Sequence, residues 1–135
     1  MVRFARRLVA AVAVAAALPV FGTPAVTASP LRHFELRRSA PAADTVLEAS
    51  PDRIQLWFSQ EPQTEGARIR LVDGAGELVE LGATAPVPDT ATSLRADIPT
   101  ALGAGAYTIH WRAMARDGHV VTGEIPFTIR ADASR

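Results

Sequence analysis

The sequence contains no cysteine, and this absence excludes both disulfide bonds and thiolate metal ligands. It has only two methionines, Met1 and Met114, so a metal site built from several thioether sulfurs is excluded as well. Lysine is also absent, and all 14 basic residues are arginine, which we attribute to base composition in the source genome. Because no disulfide bond can form, the fold must be held together by its apolar core alone.

Sequence motifs of the common enzyme classes are missing too. Ser39 and Ser59 do not lie in a nucleophile elbow, and no glycine-rich phosphate loop precedes a helix. The glutamates between residues 61 and 80 are scattered over turns and strand ends, without a spacing that pairs them. We therefore expect a protein that is not an enzyme.

The first 28 residues have the features of a secretory signal peptide. A basic head is followed by an apolar run at 8–20 and a small-residue cleavage site at 26–28. The apolar run is too short, and too soon interrupted by proline and glycine, to make a good membrane-spanning helix. Arg6 and Arg7 leave a twin-arginine export signal open as an alternative to a plain basic head. We expect a periplasmic protein, with secretion as the other destination.

Residues 29–135 form the predicted mature protein, and 107 residues are enough for one domain with a modest core. This part carries eleven arginines and fourteen acidic residues, for a net charge of −3. The negative charge argues against nucleic acid or an anionic membrane surface as the main partner. No segment after the leader could insert into a bilayer, and we expect a monomer.

Apolar residues alternate with polar ones in several short runs, which is typical of strands with one buried face. The predicted core positions are Ile54, Leu56, Phe58, Ala67, Ile69, Leu71, Leu94, Ala96, Ile98, Tyr107, Ile109, Trp111, Ile125, Phe127 and Ile129. Proline, glycine and aspartate separate the runs, and residues 83–92 have no pattern and are predicted to be a loop or crossover. About seven strands in one domain predict an all-β, immunoglobulin-like Greek-key sandwich or barrel.

Asp117 and His119 are the strongest candidates for metal ligands. Residues two apart in an extended segment project to the same side, so a carboxylate and an imidazole could reach one ion. Tetragonal Cu(II) favours nitrogen and oxygen donors of this kind. The same pair is also common in solvated turns. His110 lies on the outward face of its strand and is a weaker candidate, while Trp57 also points outward, either for local packing or toward a partner.

Three segments carry a family resemblance: HFELRRSAPAADTVL at His33 to Leu47, RIQLWFSQEP at Arg53 to Pro62, and AGAYTIHWRAMARDGHVVTG at Ala104 to Gly123. They resemble the CopC family of periplasmic copper-binding proteins. The last segment resembles the most specific part of the family pattern, in which Tyr-x-x-x-Trp-Arg is followed by Asp-x-His and Thr-Gly. The resemblance implies a small Greek-key β-barrel or sandwich, in agreement with the alternation of apolar residues.

The resemblance also implies a ligand set and a function. By position, His33, Asp117 and His119 would hold Cu(II), and no methionine-rich Cu(I) site would be present. The protein would buffer copper or hand it to a membrane partner such as a CopD-like copper transporter. The alternative is a metal-free sandwich that docks to such a membrane protein. An oxidative polysaccharide enzyme with an N-terminal histidine fits poorly, because the chain is short and His33 is internal.

Two departures from the family pattern bear on this site. Cleavage after Ala28 would leave four residues ahead of His33, so the α-amine ligand of the family would be absent unless another peptidase trims the chain. Without that amine, we expect weaker copper binding. Gln60 stands where the family pattern has glutamate after Phe58-Ser59, which removes one negative charge near the end of that strand.

Overall fold

The computed structural model describes residues 33–131, so the predicted signal peptide at 1–28 lies outside the described residues. Within this range the chain forms β-strands, and no helix there is long and apolar enough to cross a membrane. The nine strands are β1 (Leu36–Ala40), β2 (Thr45–Leu47), β3 (Arg53–Phe58), β4 (Gln63–Asp73), β5 (Leu78–Val79), β6 (Ala85–Val87), β7 (Thr90–Asp97), β8 (Gly105–Met114) and β9 (Val120–Ile129).

The strands form two sheets that pack face to face. One sheet has four strands in the order β1-β3-β7-β6, and the other has five in the order β2-β9-β8-β4-β5. All neighbours are antiparallel except β2 and β9, which run parallel. The prediction of an all-β sandwich is confirmed, with nine strands in place of about seven. Three of the strands, β2, β5 and β6, are only two or three residues long, too short for an alternating pattern to be recognised.

The core lies between the sheets and consists of the inward-facing residues of the long strands. Of the fifteen positions predicted from the alternation, all are buried except Tyr107, which is half-buried. Its ring stacks on Phe127, and its hydroxyl donates a hydrogen bond to the carbonyl oxygen of Gly103 at 2.8 Å. The phenol therefore keeps a polar partner at the rim of the core, as an amphipathic ring requires.

Residues 83–92, predicted to be a loop or crossover, begin with the end of the connection from β5 in one sheet to β6 in the other, and most of the remainder forms strand. Val87 pairs with Thr90 across a two-residue turn in which Asp89 has a φ of 66°, so β6 and β7 form a hairpin. Aspartate tolerates this left-handed conformation better than most residues. Pro86 is accommodated because β6 is the edge strand of its sheet, where a missing N–H leaves no ladder partner unsatisfied.

Trp57 lies on the outer face of the four-stranded sheet, as predicted. The guanidinium of Arg38, on the neighbouring strand β1, lies 3.9 Å from the centre of the Trp57 ring. A cation over an aromatic face stabilises both side chains and keeps the ring partly out of water. Local packing therefore accounts for Trp57, and the alternative of a free partner surface is not needed.

Candidate metal centre

Asp117 and His119 lie in the tight loop that connects β8 to β9. The backbone N–H of Ala115 donates to the carbonyl of His119 at 2.8 Å, and that of Gly118 donates to the carbonyl of Ala115 at 3.0 Å. Gly118 has a φ of 89°, which is costly for residues with a Cβ atom. The loop is thus a turn followed by one left-handed residue, a common three-residue hairpin connection.

This turn brings Asp117 and His119 into direct contact. The backbone N–H of His119 donates to Oδ1 of Asp117 at 3.0 Å, and Nδ1 of His119 lies 2.8 Å from Oδ2 of the same carboxylate. The sequence predicted that the two residues would project together from an extended segment. They do meet, but through an Asx-type turn around Gly118. Both side chains are largely exposed, so an ion can reach them from solvent.

The hydrogen bond between the two side chains determines which ring nitrogen is free. An ionised carboxylate can only accept, so Nδ1 of His119 donates in this hydrogen bond, and in the neutral ring Nε2 has a free lone pair. In this arrangement Nε2 is the donor available to a metal, and Asp117 orients the ring. Ligation of one ion by both Asp117 and His119 requires that this hydrogen bond opens.

Asp117 is expected to titrate below its ordinary range. The backbone N–H of His119, followed by its side chain, stabilises the charged carboxylate and lowers the pKa of Asp117. Because the pKa of Asp117 is lower in the folded than in the unfolded state, its ionised carboxylate stabilises the fold at pH values above the unfolded-state pKa of about 3.9. This stabilisation is lost as the pH falls through the folded-state pKa. Following the Asp117 carboxyl carbon by NMR in the metal-free protein should give a midpoint below the ordinary aspartate value of about 3.9. A midpoint at or above that value would contradict the hydrogen-bonded pair.

His33 is held three residues before β1 by contacts with the end of β3. The hydroxyl of Ser59 donates to the carbonyl oxygen of His33 at 2.8 Å and accepts the backbone N–H of Glu35 at 3.0 Å. The backbone N–H of Ser59 in turn donates to the carbonyl of Glu35 at 2.9 Å. The next side chain, Phe34, stacks on Phe58 with ring centres 5.2 Å apart. The backbone of His33 is therefore fixed, while its side chain remains exposed.

One groove of about 470 Å³ contains all three candidate ligands. It is lined by His33, Phe34, Gln60, Ala115, Asp117, His119, Val120 and Val121. Two imidazoles and a carboxylate are a donor set that suits Cu(II). However, no three His, Asp or Glu side chains between residues 33 and 131 are close enough together to hold one ion as they stand. Asp117 and His119 are paired, and His33 must approach them to complete a three-ligand site.

Ser59 lies in a segment that resembles the family, but the sequence did not show that it positions His33. Replacing Ser59 with alanine removes both hydrogen bonds that tie His33 and Glu35 to β3. We expect Cu(II) affinity to fall by about tenfold, the lower end of the usual effect of a residue that positions a ligand. Competition against a chelator would measure it, with thermal unfolding as the control. An unchanged affinity in a folded variant would contradict this role.

The remaining polar candidates lie outside the groove. His110 is 3.3 Å from the Glu124 carboxylate on the outer face of the five-stranded sheet. Arg112 donates to the carbonyl oxygen of Gly66, and no contact to Asp117 or His119 accompanies it. The loop itself is supported from β4, where Nε2 of Gln63 donates to the carbonyls of Ala115 and Arg116 at 2.9 and 3.1 Å. Gln63, and not Arg112, therefore supports the loop that carries Asp117 and His119.

Comparison with known proteins identifies the family. A sequence profile of the CopC domain matches residues 36–130. Copper resistance protein C of Escherichia coli is 31% identical over 115 residues, which cover 78% of this chain and 87% of that protein. Copper transport protein CutJ of Bacillus subtilis is 29% identical over 98 residues, which cover 72% of this chain but only 18% of that protein.

Solved structures agree with the sequence comparison. CopC from Methylosinus trichosporium OB3b has a TM-score of 0.66 and 30% identity, covering 72% of this chain and 93% of that one. PcoC, a methionine-rich copper resistance protein from Escherichia coli, has a TM-score of 0.64 and 32% identity, covering 73% and 99%. The β-sandwich with its β8–β9 hairpin, and the match over residues 36–130, show that this chain belongs to the CopC family.

Proposed function

We propose that the protein is an exported Cu(II)-binding protein of copper homeostasis, which buffers copper or delivers it to a membrane copper transporter. The observation that best supports this is the shared groove, in which His33, Asp117 and His119 line one solvent-open surface. Binding and release of an ion need no catalytic group, and the proposal includes no reaction. The signal peptide at 1–28 would direct the protein to the periplasm or outside the cell.

The donor set favours Cu(II) over Cu(I). Imidazole nitrogen and carboxylate oxygen suit Cu(II), whereas Cu(I) prefers several sulfur ligands. The described part of the chain contains a single methionine, Met114, which does not line the groove. The negative charge of Asp117 offsets part of the charge of the ion. Because protons compete for the imidazoles, affinity should decrease in acid.

The position of the mature N-terminus would set the strength of this site. If the chain begins at Ser29, His33 supplies only its imidazole and a backbone group. If further trimming makes His33 the first residue, its α-amine lies next to the imidazole and can join it as a ligand. We propose that the trimmed form binds Cu(II) more tightly, because chelation by one residue adds a donor without ordering another segment.

Delivery to a membrane partner is supported by the relatives. CutJ is called a copper transport protein, and a segment similar to this chain makes up 18% of its length. In that protein a CopC-like domain is thus covalently joined to a much longer chain. We propose that the present protein delivers copper to a membrane copper transporter of the CopD-like kind, and that it does so as a monomer.

A metal-free docking module is the second candidate function. It is favoured by one observation, that the side chains of residues 33–131 do not form a ready three-donor cluster. In this case the sandwich would bind the same membrane protein without carrying copper. Copper would then have no influence on the association.

A Cu(II) titration followed by EPR distinguishes the two functions. The mature chain from Ser29 and a chain from His33 should each bind one equivalent of Cu(II) in a tetragonal environment. The chain from His33 should withstand a competing chelator better. Absence of a stoichiometric signal in both chains, together with copper-independent capture of the membrane partner, would favour the metal-free module. Intact mass of the exported protein would show which N-terminus occurs in the cell.

A further inference from the structure

A group of basic side chains covers the outer face of the five-stranded sheet, away from the candidate metal centre. Arg68 and Arg70 come from β4, and His110 and Arg112 come from β8; we call these four residues the arginine face. In the strand register Arg68 lies opposite Arg112, and Arg70 lies opposite His110. Like charges directly opposite each other on neighbouring strands destabilise a sheet. The fold therefore gains nothing from this placement.

The arginine face is only partly neutralised within residues 33–131. His110 lies beside Glu124, and Arg112 donates to a backbone carbonyl, which leaves its charge uncompensated. No ion pair to another described residue involves Arg68 or Arg70, although both are exposed. The same range carries nine arginines and thirteen acidic residues, a net charge of −4. Three guanidinium groups are thus concentrated on one face of an otherwise acidic domain.

Two depressions have Arg70 as a common lining residue. One, of about 170 Å³, lies among the four residues of the arginine face and Trp111. The other, of about 310 Å³, is lined by Ile69, Arg70, Leu78, Val79, Leu81 and Gly82. Leu78 is 68% exposed, and its strand β5 is the edge of the sheet. An apolar hollow at the sheet edge and the basic depression therefore both border on Arg70.

We propose that the arginine face and the hollow beside Leu78 form a docking surface for an acidic segment of a protein partner. Guanidinium groups bind carboxylates through paired hydrogen bonds, and Arg68, Arg70 and Arg112 present them side by side. An apolar side chain of the same segment would enter the hollow next to Leu78. Charge complementarity selects a local acidic segment over an anionic bilayer, because the domain's net negative charge repels an extended negative surface.

This surface is separate from the proposed copper function. None of its residues lines the groove of His33, Asp117 and His119. Its binding can therefore be measured in metal-free protein, and a negative result for copper would leave the docking surface untouched. Conversely, loss of docking would leave copper binding intact.

The test uses the metal-free mature chain and a fluorescein-labelled, glutamate-rich peptide with one central leucine. We expect saturable binding by fluorescence anisotropy, with NMR shifts confined to β4, β5 and β8. The double variant Arg68→Thr/Arg70→Thr should bind at least about tenfold more weakly, as expected for the loss of charged hydrogen bonds. It should unfold at the same or a higher temperature, because threonine suits strands and the like-charge pair is removed.

Arg53→Thr/Arg95→Thr is the matched control, because it makes the same charge change on the four-stranded sheet. Its affinity for the peptide should stay within about twofold of the parent protein. Equal losses of peptide affinity in both double variants would mean that net charge alone explains the binding, and this result would overturn the proposal. The proposal would also be overturned if phosphatidylglycerol vesicles bind through Arg68 and Arg70 while the peptide does not bind. If the double variant fails to fold, Arg70→Glu alone must abolish peptide binding for the proposal to stand.

Discussion

Replacing His119 with alanine is expected to lower Cu(II) affinity by at least about 100-fold, at or beyond the upper end of the effect of losing a positioning residue. His119 supplies the ring nitrogen that Asp117 leaves free, and its removal also takes the hydrogen-bond partner from Oδ2 of that carboxylate. Only one imidazole and one carboxylate would remain in the groove. Competition with a chelator of known affinity, at constant pH, measures the change.

His110→Ala is the matched control for this prediction. It removes an imidazole from the strand that leads into the loop, but His110 lies on the outer face beside Glu124. Its loss should leave Cu(II) affinity unchanged within about twofold, the scale expected for a distant surface substitution. Equal effects of the two substitutions would mean that copper binds non-specifically to surface histidines, in contradiction to the groove.

Gly123→Ala is expected to be the most damaging small substitution in the fold. Gly123 pairs with Trp111 across β8 and β9, and a Cβ atom added there would lie 2.7 Å from three atoms of the indole ring. The ring cannot shift freely, because Trp111 is buried and contacts Phe58 edge-on with ring centres 5.5 Å apart. We expect a loss of about 3 kcal/mol in the free energy of unfolding. For a domain of this size, Tm should fall by about 15 °C.

Gly103→Ala provides the control for that substitution. An added Cβ atom at Gly103 meets nothing within 4 Å, and its backbone does not have the positive φ that favours glycine. The Tm of Gly103→Ala should stay within a few degrees of that of the parent protein. The free energy of unfolding should change by no more than about 0.5 kcal/mol. Thermal unfolding by circular dichroism compares the two variants. If Gly123→Ala were as stable as Gly103→Ala, the close packing of Trp111 over β9 would be wrong.

The long strands could be predicted from sequence because their alternation reports burial directly. Residues such as Ile54, Leu56 and Ile109 are fully buried where period two places them. The short strands could not be predicted in this way. β5 and β6 have two and three residues, and they exist because neighbouring long strands offer free edges for pairing. The hairpin at 87–90 turns at Asp89, which has a positive φ. The sequence of this segment has no alternating pattern from which the hairpin could be predicted.

The candidate site was predictable only in part. The residue types and spacing of Asp117 and His119 made them candidates, and the turn at Gly118 is what brings the two side chains together. His33 is distant in sequence, and only the family resemblance linked it to this pair. No sequence pattern could reveal that Ser59 ties the His33 backbone to β3, or that Gln63 holds the loop carbonyls. Such contacts depend on tertiary geometry.

The number of imidazoles bound to Cu(II) is the most direct test of a site formed by His33, Asp117 and His119. Pulsed EPR of the mature protein loaded with one equivalent of Cu(II) counts them through their remote ring nitrogens. We predict two imidazoles in the parent protein and one in both His33→Ala and His119→Ala. A single imidazole in the parent protein, or a count that neither substitution changes, would contradict a copper site shared between the N-terminal segment and the β8–β9 loop.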